Sequence, residues 1–226
     1  MSAATDPRVV GALEVQLRRW REALAAGGEP VGWKIGLNVP EVQARLGLSE
    51  PVIGHLTSAT QVEPGSTYSA GSATELKAEP EIALELGRDV EPDADQGTAR
   101  AAIAALGPAI ELVDLGRPPA DLERIVGENI FHRAFVLGAA QPGASLEGAT
   151  ATISVNGQDR ESATVPTDFA DVVTLVARLL GSVGERLLAG DRIIAGSLTT
   201  QLPVQAGDLV QLEIDRLGST EVRIGP

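Results

Sequence analysis

Two glutamates that alternate along one short segment, Glu79 and Glu81, are the first candidates for chemistry in this sequence. Residues 79–86 read EPEIALEL, and this alternation of apolar and polar residues predicts a half-buried strand. Side chains two residues apart leave the same face of a strand, so both carboxyl groups can bind one cation. Pro80 has no N–H for a sheet ladder, which predicts a strand start or a sheet edge. A solvated polar face is the ordinary alternative for such a pair.

A third carboxylate, Glu111, lies in the apolar segment PAIELVDL, residues 108–115. Burying a carboxylate beside residues such as Ile110 is costly unless the group is paired or coordinates an ion. Three carboxylates from two strands suit a hard divalent cation, Mg2+ or Mn2+, with positions left for substrate oxygens. The sequence has no cysteine and two histidines, His55 and His132. Any metal site is therefore expected to consist mainly of oxygen ligands.

Lysine occurs only twice among the 18 basic residues, at Lys34 and Lys77. Lys34 lies in GWKIG, where flanking glycines allow close backbone approach and apolar neighbours can desolvate the ammonium group. A desolvated lysine near a metal can transfer protons near neutral pH or bind an anionic substrate. A lysine whose head reaches solvent from a strand face is the alternative. Lys77 precedes Glu79 by two residues, so it either balances the acidic pair or contacts the substrate.

Two hydroxyl residues, Ser197 and Thr199, follow a short apolar segment within AGSLTT. They can present hydroxyl or backbone N–H groups to a substrate carboxylate, and an ordinary turn after a strand fits the same pattern. His55 and His132 are expected to be structural, because nothing in their spacing completes a Ser-His-Asp set.

Length, composition and charge limit the class of protein. The 226 residues are 43% hydrophobic, which suffices for a sizeable core in one domain, with or without a small N-terminal lobe. A formal net charge of -13 offers no basic surface for a phosphate backbone, so no nucleic acid partner is expected. No apolar run approaches the roughly 18 residues of a membrane span, and the start lacks a signal-peptide pattern. The sequence therefore predicts a soluble, cytoplasmic protein with no membrane partner.

The remaining patterns predict an α+β fold without regular strand-helix alternation. Helical spacing and capping residues predict helices over 6–26, 40–46, 98–106, 121–130 and 168–188, the last expected to be the longest. Strands are predicted over 31–37, 79–86, 108–115, 133–137, a hairpin at 151–163, 192–194, 202–205, 209–215 and 220–224. The segment 49–72 is expected to be loop-rich and to hold a lobe boundary. Residues 1–60 are thus expected to form a small helical lobe that contributes Lys34, and residues 61–226 a β-rich catalytic domain.

Taken in order, the motifs resemble the 2-keto-4-pentenoate hydratase and 4-oxalocrotonate decarboxylase group of the fumarylacetoacetate hydrolase superfamily. The matching stretches are GWKIGL, VQARLGLSEPVIGHL, KAEPEIALELGRDV, PAIELVD, the FVLG after Asn129, and LLAGDRIIAGSLTTQLPVQAGDLVQLEIDRLGSTEVRI. They follow the family order across most of the chain.

The resemblance implies a mixed β-roll with a catalytic lysine, Lys34, beside the substrate. It also implies a Mg2+ or Mn2+ ion held by Glu79, Glu81 and Glu111. Lys77 falls on a position that is usually basic, and Ser197 falls in the family's Gly-Ser segment near the substrate carboxylate, with Thr199 close behind. Two departures leave the metal site intact but concern the groups that finish the reaction and shape the pocket. Residues 57–60 read TSAT where the family commonly has an acidic residue near the active-site mouth, and residues 165–169 read VPTDF where it commonly has a glycine-rich, proline-containing turn before the long helix.

The expected activity is that of a metal-dependent lyase acting on a small 2-oxo acid or its dienol. The leading hypothesis is 2-keto-4-pentenoate (2-hydroxypentadienoate) hydratase, and the first alternative is a 4-oxalocrotonate-type decarboxylase. Hydrolysis of an acylpyruvate C–C bond is a further alternative, which usually needs a His-Glu pair to activate water. A diverged, non-catalytic member is the last. The family commonly assembles, so a homo-oligomer is expected.

Overall fold

Aspartate side chains cap three of the five α-helices in the computed structural model, which describes residues 2–116 and 121–226. They are α1 (Pro7–Ala25), α2 (Pro40–Leu46), α3 (Gln96–Ala102), α4 (Leu122–Gly127) and α5 (Ala170–Gly181). Asp6 caps α1 by accepting a hydrogen bond from the Arg8 N–H, as the sequence predicts. Within the described ranges, none of these helices is long and apolar enough to cross a membrane.

Thirteen strands of the described chain form two sheets. The strands are β1 (Pro30–Gly36), β2 (Val52–Thr57), β3 (Thr67–Ser69), β4 (Leu76–Leu86), β5 (Ile103–Asp114), β6 (His132–Leu137), β7 (Gln141–Pro142), β8 (Thr150–Val155), β9 (Gln158–Thr164), β10 (Arg192–Ile194), β11 (Leu202–Pro203), β12 (Leu209–Ile214) and β13 (Gly218–Gly225). The larger sheet has the order β2-β1-β10-β4-β5-β6, with β11 beside β4 and β7 beside β5; the smaller has the order β3-β13-β12-β8-β9. The α+β prediction is confirmed.

Local patterns gave the wrong element at three places. The predicted helix over 98–106 ends at Ala102, because the next residues pair with β4 as the start of β5. The loop-rich segment 49–72 contains β2, which runs antiparallel to β1. The helix expected over 168–188 is not the longest: α5 has 12 residues against 19 in α1, and the chain turns at Gly184, whose φ is 75°.

One face of the larger sheet combines the predicted chemical residues with a small apolar cluster. Glu79 of β4 lies directly opposite Glu111 of β5, and Lys34 of β1 lies opposite Ile194 of β10. Because side chains alternate along strands, these residues share one face, here called the carboxylate face. The same face also carries a separate buried cluster of Leu56, Ala83, Ala109, Phe135 and Ile194. These apolar side chains lie beside the carboxyl groups: Ala109 is directly opposite Glu81, and Phe135 is directly opposite Glu111.

A buried glutamine links the first helix to the larger sheet. The Gln16 side chain is fully buried, and its Nε2 donates to the carbonyl oxygens of Ile53 (3.1 Å) and Val126 (2.7 Å). These contacts join α1 to β2 and to α4. Strands β1 and β2 of the predicted N-terminal lobe lie in the same sheet as β4 of the predicted catalytic domain, so backbone hydrogen bonds connect the two regions. The boundary between residues 1–60 and 61–226 stays a prediction.

Gln16→Ala is expected to lower the free energy of unfolding by about 1–3 kcal/mol, because it removes two hydrogen bonds to buried carbonyl groups. Urea denaturation followed by circular dichroism measures the change. Gln158→Ala, at an exposed position of β9, is the control and should stay within about 0.5 kcal/mol of wild type. Equal losses in both variants would contradict a linking role for Gln16.

Candidate functional site

Three carboxyl groups converge on the carboxylate face. Glu79, Glu81 and Glu111 each offer an oxygen that lies within 4.8 Å of the other two. The geometry follows from the sheet: Glu79 and Glu81 are two residues apart on β4, and β5 places Glu111 opposite Glu79. The side chains of Glu81 and Glu111 are fully buried, whereas Glu79 reaches a cavity.

Two buried carboxylate oxygens have no hydrogen-bond partner within the described part of the chain. Oε2 of Glu81 accepts a hydrogen bond from the Gly196 N–H at 2.8 Å, but its Oε1 is unpartnered. Oε1 of Glu111 is bonded, and its Oε2 is unpartnered. Unpartnered buried oxygens are costly, and oxygen ligands are those that Mg2+ and Mn2+ prefer. The donor set therefore fits a hard divalent cation.

The three acids differ in their affinity for a proton. Burial and the nearby Glu111 carboxylate raise the pKa of Glu79 to about 7. The same causes raise the pKa of Glu81 well above its usual range. Burial alone would also raise the pKa of Glu111, but Lys34 and His132 outweigh it, and that pKa is lowered. Glu111 is thus the anionic member, whereas Glu81, and Glu79 below about pH 7, hold protons that a cation would displace.

Lys34 is buried beside Glu111 and does not extend to solvent. Its side chain is 2% exposed, and Nζ donates to Glu111 Oε1 at 2.6 Å and to the Ile130 carbonyl oxygen at 3.1 Å. An ammonium group has three N–H donors, so one remains for a ligand. Because Lys34 also lines the cavity, that donor is available to an anion bound there.

His132 contacts the same glutamate, which its sequence context did not predict. Its Nδ1 lies 2.7 Å from Glu111 Oε1, and its Nε2 lies 3.0 Å from the hydroxyl of Thr60. Burial lowers the pKa of His132, which favours the neutral ring. Nδ1–H then donates to the carboxylate, and the Thr60 hydroxyl donates to Nε2. His132 and Thr60 together restrict how the Glu111 carboxyl group can rotate.

A left-handed turn positions both partners of Glu111. Asn129, Ile130 and Phe131 have φ values of 64°, 52° and 64°, which are uncommon for residues other than glycine. The Asn129 side chain holds the turn against β2: its Oδ1 accepts from the His55 N–H at 2.8 Å, and its Nδ2 donates to the His55 carbonyl at 3.0 Å. The sequence offered Asn129 only as a landmark before FVLG, without a role.

The other predicted site residues lie in different surroundings. Ser197 lines the cavity, and its hydroxyl donates to the Thr199 carbonyl at 2.9 Å. The Thr199 hydroxyl donates within its own loop, to the Thr200 carbonyl. Lys77 forms an ion pair with Glu75 at 3.0 Å. Of these three, the structure brings only Ser197 to the described lining of the cavity.

The cavity above the carboxylate face has a volume of about 630 Å³. Its polar lining near the acids includes Lys34, Glu79, Ser197 and Gln201. Most of the remaining described lining is apolar and comes from α2 and the residues before it, the end of β5, α4 and the left-handed turn: Leu37, Val39, Val42, Leu46, Val113, Leu115, Ile125, Ile130 and Phe131, with Asn38 and Arg45 as polar members. The volume suits a small organic molecule with a polar head and an apolar tail.

In metal-free protein, the free energy of unfolding of Glu79→Gln, measured relative to wild type at the same pH, is expected to increase as the pH rises from about 4.5 to about 7. The folded-state pKa of Glu79, about 7, lies above the ordinary value of 4.5. The stabilisation that the Glu79 carboxyl group gives to folded wild-type protein is therefore fully present below the unfolded-state pKa. It is lost as the pH rises through the folded-state pKa, and Glu79→Gln has no such loss. Buried His55 and His132, with lowered pKa values, titrate in the opposite direction, so the variant must be compared with wild type at each pH.

Urea denaturation across this pH range in EDTA measures that difference. Glu213→Gln, at an exposed position of β12, is the control and should show a pH-independent difference from wild type. A constant difference for Glu79→Gln as well would show that Glu79 does not carry a raised pKa.

Comparison with known proteins places this geometry in a family. Residues 33–225 match the model of the fumarylacetoacetate (FAA) hydrolase C-terminal domain. The chain is 32% identical over 219 residues to 2-keto-4-pentenoate hydratase 1 of Dechloromonas aromatica (strain RCB), covering 91% of this chain and 81% of the relative. It is 29% identical over 214 residues to a 4-oxalocrotonate decarboxylase of a Pseudomonas species, covering 92% and 84% respectively.

A solved structure extends the similarity to three dimensions. The 4-oxalocrotonate decarboxylase from Pseudomonas putida G7, complexed with magnesium and adipate, matches with a TM-score of 0.84 and 26% sequence identity. The match covers 92% of this chain and 83% of the other. The mixed β-roll expected from the sequence is confirmed, and the chain belongs to the fumarylacetoacetate hydrolase family.

Proposed function

We propose that this protein is a divalent-metal-dependent lyase acting on a small 2-oxo acid or its dienol, with hydration of a 2-keto-4-pentenoate-type substrate as the leading activity. The observation that carries the proposal is the pair of unpartnered, buried oxygens of Glu81 and Glu111 beside the Lys34 ammonium group. Similarity to a 2-keto-4-pentenoate hydratase over most of both chains supports the substrate class.

Glu79, Glu81 and Glu111 would hold the ion, Mg2+ or Mn2+. Magnesium is bound in the similar decarboxylase structure, and the donor set described above fits it. When bound, the cation would act as a Lewis acid on the carboxylate and 2-oxo oxygens of the substrate and stabilise enolate charge.

Lys34 is proposed as the catalytic residue of this chain. Glu111 and the Ile130 carbonyl use two of its N–H donors and hold Nζ at the base of the cavity. The third donor can bind the anionic substrate or pass a proton to the carbon chain. Burial keeps bulk water from competing for this donor, which strengthens its interaction with an anion.

Ser197 is proposed to bind the substrate carboxylate, because its hydroxyl lies in the cavity lining. Its present bond to the Thr199 carbonyl is local and can be exchanged for a ligand. Substrate binding by Lys77 and Thr199 stays part of the proposal. It requires Lys77 to exchange its ion pair with Glu75, and Thr199 to exchange its bond to the Thr200 carbonyl.

Decarboxylation is the second candidate reaction. It is favoured by the structural similarity to a 4-oxalocrotonate decarboxylase, with a TM-score of 0.84. Both reactions need the same three carboxylates and Lys34, and they differ in what happens to the substrate after its enolate forms.

The contacts of His132 argue against C–C bond hydrolysis. That reaction usually requires a His-Glu pair with a free ring nitrogen facing a water molecule. His132 contacts Glu111, but its second nitrogen is bonded to Thr60 and its side chain is 2% exposed. His132 also lies outside the described lining of the large cavity. It is placed to restrain Glu111 rather than to activate water.

We also propose that the enzyme works as a homo-oligomer in the cytoplasm. Val39 at the N-cap of α2 and Leu188 before β10 are large apolar side chains that remain exposed, and a second copy of the chain can cover such surface.

The proposed function is tested by calorimetric titration of oxalate, which imitates the chelating end of a 2-oxo acid, into protein with Mg2+. Binding is expected with Mg2+ and is expected to disappear with EDTA. Glu81→Gln should weaken it at least tenfold, because the variant loses a charged oxygen ligand. The control Glu213→Gln should bind as wild type does. Oxalate binding that is equal with and without metal, or unchanged in Glu81→Gln, would contradict the metal site.

A further inference from the structure

Two hydrogen bonds converge on one oxygen of Glu111, Oε1, while its Oε2 has no partner within the described part of the chain. We propose that His132, by occupying Oε1, restricts Glu111 to a single ligand oxygen and makes the site selective for the small octahedral cation Mg2+ over Ca2+. This inference rests on the proposed function, because it assumes that the three glutamates hold the ion. His132 acts here as a positioning residue, since the described cluster of candidate ligand atoms consists of glutamates alone.

Oxygen Oε1 of Glu111 has no capacity left for a cation. Lys34 Nζ lies 2.6 Å from it, and His132 Nδ1 lies 2.7 Å from it. An ionised carboxylate only accepts hydrogen bonds, so the hydrogen between the ring and Oε1 belongs to Nδ1. A carboxylate has about four lone-pair sites on its two oxygens, and the two donors use those of Oε1. A cation can therefore bind Glu111 only through Oε2.

The imidazole ring of His132 is the less adaptable of the two donors. Its Nε2 lies 3.0 Å from the Thr60 hydroxyl, and its ring packs against that of Phe135, with the centroids 5.9 Å apart. Lys34 instead carries three rotatable N–H donors on a flexible chain, so it can follow the carboxylate as it turns. The ring cannot do so without breaking its bond to Thr60. His132 therefore determines which oxygen of Glu111 stays free.

The number of free carboxylate oxygens distinguishes the two cations. Ca2+ takes roughly six to eight oxygen ligands and often binds both oxygens of one carboxylate, whereas Mg2+ is smaller and requires near-octahedral geometry. Oε2 of Glu81 already accepts a hydrogen bond from the Gly196 N–H. Glu81 and Glu111 thus each offer one oxygen that is unpartnered within the described residues, and this arrangement favours the cation that needs fewer protein ligands.

The test measures the dissociation constants of Mg2+ and Ca2+ by calorimetry at one pH in wild type, His132→Leu and His132→Asn. The ratio of the Ca2+ constant to the Mg2+ constant reports selectivity, and it cancels any loss of affinity common to both cations. His132→Leu is expected to lower this ratio about tenfold, because a lone pair of Oε1 becomes available to Ca2+. An asparagine amide can donate from near the position of Nδ1, so His132→Asn should keep the ratio within about twofold of wild type.

Thr60→Val tests the same role without changing the ring that contacts Glu111. It removes the hydroxyl bonded to Nε2 and should lower the ratio by about threefold, whereas Thr60→Ser should keep it. Thr220→Val is the matched control, because Thr220 is a buried threonine of β13 in the smaller sheet, and its ratio should equal that of wild type.

Metal binding with the same ratio in wild type and in folded His132→Leu would overturn the role of His132 and leave the proposed function intact. Equal falls in His132→Asn and His132→Leu would also overturn it, because the hydrogen bond would then not be the cause, and so would a fall in Thr220→Val. If circular dichroism shows that His132→Leu is unfolded, an unchanged ratio in Thr60→Val overturns it instead. Failure of wild type to bind either cation would overturn both proposals.

Discussion

Burial of three acids within reach of one another is the constraint on which this structure depends. The larger sheet fixes Glu79 opposite Glu111, with Glu81 one pleat away, so the strands cannot pair without bringing the carboxyl groups together. Like charges in a weakly solvated interior repel strongly. The lysine at position 34 neutralises only one of the three, and the remaining two must hold protons or share a cation.

Two neighbouring side chains, Lys34 and His132, fix the orientation of the Glu111 carboxyl group. Lys34 and His132 both bond Oε1 of Glu111, which leaves Oε2 as its free oxygen. This convergence needs close backbone packing. A Cβ atom at Gly54 would lie 2.5 Å from Asn129 Oδ1 and 2.9 Å from Lys34 Cγ, so glycine is required where β2 meets the lysine and the left-handed turn.

Much of this site was readable from the sequence where chemistry and periodicity coincide. The alternation in EPEIALEL placed Glu79 and Glu81 on one face, and the apolar neighbours of Glu111 marked it as a costly buried acid. The contacts of His132, Thr60 and Asn129 were not readable, because they depend on three successive left-handed residues that no local pattern specifies. The start of β5 was mistaken for helix for a related reason: pairing with β4 overrides the helical preference of its alanines.

The position of Glu79 has a consequence for the order in which ligands would bind. Among the three acids, only Glu79 belongs to the described lining of the cavity, whereas the side chains of Glu81 and Glu111 are fully buried. If these three carboxylates hold the ion, an organic acid seated in the cavity would cover their oxygens. The cation would then have to arrive first, and exchange of the metal during turnover would require an empty cavity.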